Sequence, residues 1–317
     1  MKYIDLLIKS IKDPAKFFSV LNKKLFSIPD LNTLNKIQNK FIKKKYFNFW
    51  TYLAKRNLKF QKLFFENEKK EININFDSSS FDKLDINFFK SLASNGVVII
   101  ENALPDDERK KIHNDFNELK ENSLSNLTLD NLGWLVSPIK TETKSKIRIY
   151  SKKKINNYPH LEKLSDTISK EITGKILKTE AEFYLDKCIE LPEEKVPGDN
   201  VLHIDRWVPN FKLIYSPFEI KIDNAPFTYL LESHKINKTY EKMILENNFQ
   251  NIEENNLYDL KKTTQILLKK NSLIVALTNG IHGRSPFLDL KERMFVFLQY
   301  AKSFNKLSFL NYRSFNQ

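Results

Sequence analysis

Residues 201–208 read VLHIDRWV, a short stretch that combines apolar residues with a histidine and an aspartate. His203 and Asp205 stand inside an apolar run that has the length of a short strand. Because residues i and i+2 of a strand point the same way, the imidazole and the carboxylate are expected to project side by side from one face. A carboxylate buried without a partner is costly. The stretch therefore predicts a strand whose inner face holds a cation, for which a metal ion is suitable.

Other strand-like segments lie on both sides of this stretch, from about residue 130 onward. These segments share a hydrophobic period of two. Together with residues 201–207 they cover residues 134–138, 147–150, 181–190, 212–220, 227–231, 272–278 and 294–300. Residues 235–248 and 256–262 between them have the pattern of helices. Many short strands with long connections indicate a mainly β fold with flanking helices (α+β), built on a double-stranded β-helix, the jelly-roll core of cupin-like proteins.

The N-terminal part has a different composition. Residues 1–70 carry 17 Lys/Arg against 5 Asp/Glu, which accounts for +12 of the formal net charge of +13. Their apolar residues recur at helical spacing. Residues 66–85 are polar and are interpreted as a linker. The sequence thus predicts a basic helical extension over residues 1–70 and a double-stranded β-helix domain over residues 71–317.

The charge distribution bears on partners and location. A basic extension can contact an anionic membrane, or it can be a solvated face that binds nothing. The near-neutral remainder makes nucleic acid an unlikely ligand. The single cysteine, Cys188, excludes a disulfide framework and a cysteine metal site. Asp5 and Lys9 interrupt the first ten residues, so no secretory signal is expected, and the prediction is a cytoplasmic protein with peripheral membrane contact through residues 1–70.

A second imidazole for the cation must come from elsewhere, and His282 is the best placed of the five histidines. It follows the apolar strand 272–278 and the turn Asn279-Gly280. Two histidines and one carboxylate form a facial triad, which leaves positions open on an octahedral metal and is typical of non-haem Fe(II) oxygenases. Tetrahedral zinc with the same ligands is the chemical alternative. A hydrogen-bonded pair of His203 and Asp205 without metal is the structural alternative.

Arg293 lies eleven residues after His282, at the head of the last strand. A guanidinium directed into an apolar barrel requires a matching charge. A dicarboxylate co-substrate supplies one, since its distal carboxylate can take a bidentate pair from Arg293. An ion pair of Arg293 with Glu292 or Asp289 at a turn is the alternative.

From about residue 88 to residue 300 the chain resembles the phytanoyl-CoA dioxygenase superfamily of Fe(II)/2-oxoglutarate-dependent oxygenases. Four motifs carry the resemblance: the helix, turn and strand that include SNGVVIIEN at residues 94–102, the HID of residues 203–205, APFTYLLESH at residues 225–234, and HGRSP at residues 282–286 followed by Arg293. Two positions depart from the pattern. Glu232 stands where relatives often have glycine, and Arg284 stands where some carry a small hydroxyl residue that contacts the co-substrate.

The resemblance implies a function and a set of roles. His203, Asp205 and His282 would bind Fe(II), Arg293 would bind 2-oxoglutarate, and Ser285 would supply the hydroxyl contact that Arg284 cannot. O2 and 2-oxoglutarate would be consumed, with release of succinate and CO2. Because halogenating relatives replace the carboxylate ligand, Asp205 favours hydroxylation of a small or carrier-linked metabolite.

Two further residues and one competing function belong to this hypothesis. Trp207 shares the parity of His203 and would line the substrate pocket, or pack in the core. Arg206 would lie at the entrance to the pocket. The competing function is a non-catalytic jelly-roll binding protein, tethered to a membrane or a polyanion by residues 1–70. The sequence leaves the substrate and the oligomeric state undetermined.

Overall fold

The computed structural model describes residues 40–55, 61–66, 74–77, 86–125, 134–139, 146–151, 159–160, 163–164, 188–192, 202–205, 211–246, 252, 256–285 and 296–300. Within these ranges the chain forms three mixed or antiparallel sheets and four α-helices. The mainly β prediction is confirmed at this level. Predicted helices in residues 1–39 lie outside the described residues.

The largest sheet has five strands in the order β1-β2-β9-β6-β11. The parallel pairing of β1 with β2 makes it a mixed sheet, since its other neighbours are antiparallel. The central strand β9 is buried at all six positions, as expected for a strand covered on both faces. The strands span Asn75–Asp77 (β1), Val97–Glu101 (β2), Phe211–Ser216 (β6), Ser272–Leu277 (β9) and Val296–Tyr300 (β11).

A second sheet of three antiparallel strands lies against the first. Its order is β10-β7-β8, with the strands Phe227–Leu230 (β7), Thr263–Ile266 (β8) and His282–Arg284 (β10). One core cluster contains Val97, Ile214 and Ile274 from the large sheet together with Phe227 and Tyr229 from the small sheet. The two sheets therefore pack face to face through these side chains, and the residues that share their parity lie between the sheets.

The third sheet and the helices surround this core. Trp134–Ile139 (β3), Lys146–Ser151 (β4) and Cys188–Pro192 (β5) form an antiparallel sheet of their own. The helices are Lys40–Lys55 (α1), Ile86–Asn95 (α2), Asp106–Ser125 (α3) and Lys238–Leu245 (α4). Three acidic residues in the first turn of α3 stabilise the helix, because their negative charges interact favourably with the positive end of the helix dipole. Among the described helices, none has both the length and the apolar character that crossing a membrane requires.

Residues 61–66 contact the β domain closely. Lys235 Nζ donates to the backbone carbonyls of Leu63 and Glu66, at 3.3 and 2.6 Å. The amide of Ile236 donates to the carbonyl of Phe64, whose ring is fully buried. This part of the basic extension is therefore packed onto the fold. The predicted domain division at residue 70 stays a prediction.

Several predicted elements were wrong in detail. Part of the supposed linker forms β1, because Ile74 and Phe76 alternate with polar residues and the Phe76 ring packs on Phe88. The helix predicted over residues 256–262 is a single 3-10 turn, Leu260–Lys262, which leads into the unpredicted strand β8. The strand β10 is only three residues long and was also missed.

The strand predicted over residues 201–207 was wrong within its described part, residues 202–205. Only His203 makes a β-bridge, and its partner is His282. The amide of Asp205 donates instead to the carbonyl of Thr278, at 2.9 Å. His203 and Asp205 therefore pair with opposite sides of the loop between Thr278 and His282, and no continuous ladder of hydrogen bonds forms. The predicted parity nevertheless holds, because the side chains of His203 and Asp205 reach the same cluster.

Candidate metal centre

The loop between β9 and β10 positions His282. Asn279 and Gly280 form its turn, in which the amide of Gly280 donates to the carbonyl of Leu277, at 2.9 Å. A side chain at Gly280 would collide with the hydroxyl of Tyr229, so the turn requires glycine. The Tyr229 hydroxyl donates to the carbonyl of Leu277, at 2.8 Å. The loop is thus fixed against the small sheet before the chain reaches the histidine.

The backbones of His203 and His282 are joined directly. Each amide donates to the other residue's carbonyl, at 2.9 Å in both directions. Their imidazole rings lie side by side, with centroids 4.7 Å apart. Together with the bond from Asp205 to Thr278, this pairing brings three side chains from distant parts of the sequence to one place.

The three predicted ligands form a compact cluster. One ligand atom from each of His203, Asp205 and His282 lies within 4.8 Å of the other two. Both Nε2 atoms face the same carboxylate oxygen, Oδ1 of Asp205, at 3.7 Å from His203 and 3.5 Å from His282. His282 is almost completely buried, whereas the side chain of His203 is 40% exposed. The cluster is therefore enclosed on one side and open to solvent on the other.

The tautomer of His282 follows from its hydrogen bond. Its Nδ1 lies 2.9 Å from the carbonyl oxygen of Gly280, which can only accept, so Nδ1 carries the proton. The Nε2 lone pair then faces the cluster, and this buried nitrogen has no hydrogen-bond partner among the described residues. Metal-binding histidines characteristically donate their other ring N–H to a backbone carbonyl or carboxylate. The geometry of His282 is that of a metal ligand.

The electrostatics of the cluster favour a bound cation. Burial lowers the pKa of His282, against the opposing attraction of Asp205, so the imidazole is held neutral as a ligand must be. Burial alone would raise the pKa of Asp205. The ammonium of Lys212 outweighs burial and holds that pKa well below its usual value. A neutral imidazole and an ionised carboxylate are the protonation states that metal binding needs.

Lys212 reaches the cluster from the large sheet. It lies on β6 opposite Ala276 and two residues before Ile214, so it shares the inner face of the sheet with the core cluster. Its Nζ is 2.9 Å from Oδ2 of Asp205, the oxygen that faces away from the two imidazoles, and its side chain is only 15% exposed. In the sequence, Lys212 opens the strand predicted over residues 212–220, where it is one of several lysine or arginine residues that could bind an anionic group. The signal available was a lysine within an apolar strand at inward parity.

Arg284 shares the face of His282. The register pairs His282 with Tyr229 and Arg284 with Phe227, and both aromatic rings belong to the core between the sheets. Arg284 is 6% exposed. Ser285 follows at the opposite parity, is buried, and donates its amide to the carbonyl of Pro226 at 3.0 Å. The predicted contact between Ser285 and a co-substrate stays a prediction, and alternation assigns Arg284 to the face of the metal cluster.

The turn after β7 supports the same loop without joining the cluster. Ser233 Oγ accepts a hydrogen bond from the amide of Ile281, at 2.7 Å. His234 donates through Nε2 to the carbonyl of Ala93, at 3.0 Å, and its own carbonyl accepts from the side-chain amide of Asn279 at 2.9 Å. Burial lowers the pKa of His234 to about 3. These contacts give His234 a structural role outside the metal cluster.

Glu232 has a positive φ of 68°, at the position where the sequence departs from the glycine common in similar motifs. A side chain in the left-handed region is strained by roughly 1 kcal/mol or more. The turn keeps this geometry because the Glu232 amide donates to the carbonyl of Asn95, at 3.1 Å. Glutamate at position 232 therefore lowers the free energy of unfolding but leaves the turn intact.

The remaining predicted site residues, Arg206, Trp207 and Arg293, lie outside the described residues. The described residues of the cluster have the donor groups that a metal site requires. They provide two imidazoles, one ionised carboxylate and an orphaned, buried nitrogen lone pair directed at that carboxylate. His203, Asp205 and His282 can therefore hold a divalent cation.

Neither a protein-family profile nor a curated protein sequence matches this chain. Several solved structures are similar to it. AviO1 from Streptomyces viridochromogenes Tue57 aligns over 71% of this chain and 94% of its own, at 12% identity and a TM-score of 0.48. SnoK, a non-heme alpha ketoglutarate dependent carbocyclase from nogalamycin biosynthesis, aligns over 69% and 85%, at 11% identity and a TM-score of 0.49.

HygX from Streptomyces hygroscopicus, solved with nickel and 2-oxoglutarate bound, aligns over 66% of this chain and 84% of its own. Its identity is 11% and its TM-score is 0.43. The TM-scores of these three structures are all below 0.5, so their activities are not transferred to the present chain. The feature of this chain that points to a function is the metal-compatible cluster of His203, Asp205 and His282.

Proposed function

We propose that this protein is an Fe(II)- and 2-oxoglutarate-dependent dioxygenase of the phytanoyl-CoA dioxygenase type, whose two facing sheets form a double-stranded β-helix. The observation that carries the proposal is the convergence of two imidazole Nε2 atoms on one oxygen of Asp205. Three protein ligands on one face of an octahedral ion leave adjacent positions open for other ligands. A metal held by His203, Asp205 and His282 would therefore leave room for further ligands, such as a chelating 2-oxo acid.

The charge of the inner face supports a dianionic co-substrate. Lys212 and Arg284 are buried cations at inward parity, and Asp205 is the carboxylate that the described part of the cluster contains. A divalent ion bound close to these cations would favour a dicarboxylate such as 2-oxoglutarate. In the proposal Arg293 binds its distal carboxylate, Ser285 supplies a hydroxyl contact, and Trp207 and Arg206 line the way to the substrate.

When bound, Fe(II) would supply the oxidising chemistry that couples decarboxylation of 2-oxoglutarate to hydroxylation of a substrate C–H bond. The residues of the chain have simpler tasks. Gly280 holds the proton of His282 on Nδ1, and Lys212 keeps Asp205 ionised. The exposed edge of His203 leaves the approach to the cluster open. The substrate is proposed only as a small or carrier-linked metabolite, since a fold and a metal site do not fix it.

Anaerobic addition of Fe(II) and 2-oxoglutarate tests the proposal. A weak metal-to-ligand charge-transfer band in the visible range is expected, and Asp205→Ala should abolish it. His113→Ala is the matched control, because His113 lies on α3 and its ring contacts Asn117 and Phe218 instead of the cluster. A folded protein that binds Zn(II) tightly and gives no band with Fe(II) would instead support a tetrahedral zinc site. Release of succinate in air is the second expected signal.

Contact with an anionic membrane is a separate proposal, which helix α1 supports. Phe41 is 66% exposed and Tyr52 is 57% exposed, and both lie on a helix with four lysines among its first six residues. Exposed aromatic rings flanked by lysines suit the surface of an anionic bilayer. The full chain should float with vesicles rich in phosphatidylserine and fail to float with neutral vesicles. Phe41→Ser with Tyr52→Ser should abolish flotation, and unchanged flotation would contradict the proposal.

A further inference from the structure

The two oxygens of Asp205 have different neighbours. Oδ1 faces both imidazole Nε2 atoms, and Oδ2 lies 2.9 Å from the ammonium of Lys212. A metal ion placed among the three ligand atoms would take Oδ1. The Lys212 contact is on the far side of the carboxylate and is compatible with that position.

Burying this lysine needs a reason. The side chain of Lys212 is 15% exposed, and it enters from β6 at the parity of Ala276 and Ile214, both of which are fully buried. Removing an ammonium from water is costly unless it is paired. Asp205 supplies the partner. An apolar residue at position 212 would fill the same space without that cost, so the pair requires an explanation beyond packing.

A carboxylate ligand can bind a metal through one oxygen or through both. If Asp205 turned and chelated, it would occupy one of the positions that a bidentate 2-oxo acid and O2 require. A cation beside Oδ2 opposes that rotation, because chelation would either break the Lys212 pair or bring the ammonium closer to the metal. The same contact also orients Oδ1 towards the two imidazoles.

We infer that Lys212 is a positioning residue that restricts Asp205 to one-oxygen coordination and thereby keeps a coordination position open. The inference rests on the proposed metal site. It predicts a specific division of effects: loss of Lys212 should weaken binding of the 2-oxo acid, while affinity for the metal alone is kept or increased, since a cation near the ion has been removed. A lysine needed only for folding would lower metal affinity and thermal stability together.

Mn(II) is the probe for the coordination number. Water-proton relaxation reports the waters bound to Mn(II) in the protein, of which a facial triad leaves about three. Lys212→Met should lose about a third of that relaxation enhancement as the second carboxylate oxygen replaces a water. Lys212→Arg retains a donor on Oδ2 and should keep the wild-type enhancement. Lys269→Met is the matched control, because Lys269 forms an ion pair with Glu101 at the surface, 2.8 Å between charged atoms.

Two 2-oxo acids separate positioning from direct binding. 2-Oxoglutarate and 2-oxobutyrate chelate a metal in the same way, but only the former has a distal carboxylate. For Mn(II)-loaded Lys212→Met, we expect both dissociation constants to rise about tenfold, as for loss of a residue that supports a metal ligand. If only 2-oxoglutarate weakens and the relaxation is unchanged, Lys212 binds the distal carboxylate and the inference is wrong.

Two other results would also overturn the inference. One is unchanged relaxation and unchanged affinity for both acids in Lys212→Met. The other is joint loss of metal affinity and thermal stability in both Lys212→Met and Lys212→Arg, which would make the lysine structural. Failure of the wild-type protein to bind Mn(II) would instead refute the proposed metal site itself, so the two failures are distinguishable.

Discussion

The turn at residues 231–235 and the strand His282–Arg284 each bury an imidazole against the same loop, yet the two histidines serve different ends. His234 donates through Nε2 to the carbonyl of Ala93, whereas His282 donates through Nδ1 to the carbonyl of Gly280. The nitrogen that remains on His282 faces a carboxylate, and the one on His234 faces the space beside Gly96 and Tyr229. What distinguishes the proposed ligand His282 from the structural His234 is the group that the second ring nitrogen faces.

The largest expected effect is on metal binding by His282→Ala. The apparent free energy of zinc binding at a structural site with four ligands is about 10–16 kcal/mol, which corresponds to roughly 3 kcal/mol for each ligand. Loss of one ligand should therefore weaken Co(II) binding by at least about 100-fold, as measured by titration of its absorption spectrum. His234→Gln, which can keep a donor towards Ala93, should bind Co(II) as the wild type does. Equal weakening in both variants would break the comparison.

A smaller effect is expected in the pH dependence of stability. The pKa of His234 is about 3 in the folded protein, well below its unfolded value near 6.5. The unfolded chain therefore binds a proton that the folded chain does not, so the stability that the neutral imidazole provides is present above pH 6.5 and is lost as the pH falls. Urea unfolding at pH 7 and pH 5 should show a loss of about 2 kcal/mol from this residue. His234→Gln should lack that component, and an identical pH profile would contradict the assignment.

Ser233→Ala should affect both regions, because Ser233 links the turn to the loop that carries His282. The substitution leaves the buried amide of Ile281 without the Ser233 acceptor, at an expected cost of about 1–2 kcal/mol. Thermal unfolding measures that cost, and Co(II) titration should show a modest loss of affinity as the loop loosens. Ser233→Thr keeps the hydroxyl and is the control. Loss of stability with fully unchanged metal affinity would show that the two regions are independent.

The smallest expected effect is a gain. Glu232→Gly removes the strain of a left-handed side chain, offset in part by the greater freedom of glycine in the unfolded state. A net stabilisation of about 0.5–1 kcal/mol is expected, visible as a rise of a few degrees in Tm. Glu232→Ala should give no such gain, since it retains Cβ. Destabilisation by glycine would mean that the Glu232 side chain contributes a contact that outweighs the strain.

The sequence predicted which side chains come together better than it predicted the strand that carries them. His203 and Asp205 were placed together by strand parity, and the structure brings their side chains to His282. The strand itself does not form over residues 202–205, because its backbone partners belong to a turning loop, which no local pattern indicates. The short strands β1, β8 and β10 were missed for a similar reason: three or four residues are too few for a period of two to be distinguished from chance.

Lys212 marks the limit of sequence reasoning about the site. Its inward parity on β6 could be predicted from the alternation with Ile214, but its partner could not. The pairing with Asp205 depends on how the large sheet is placed against the loop beside the small sheet. Contacts between elements distant in sequence are a property of packing, and a single sequence contains no direct record of them.

The paired backbones of His203 and His282 have a consequence for the thermodynamics of metal loading. These two ligands are 79 positions apart in the chain (282 minus 203), and holding the ends of such a loop together costs about 4 kcal/mol of chain entropy. Folding offsets this cost through the strand pairings between the two residues, and the two mutual hydrogen bonds then hold their backbones together. An arriving ion therefore binds without having to order the intervening chain, so metal loading should occur with little change in heat capacity or circular dichroism, and chelation should release the ion without unfolding the protein.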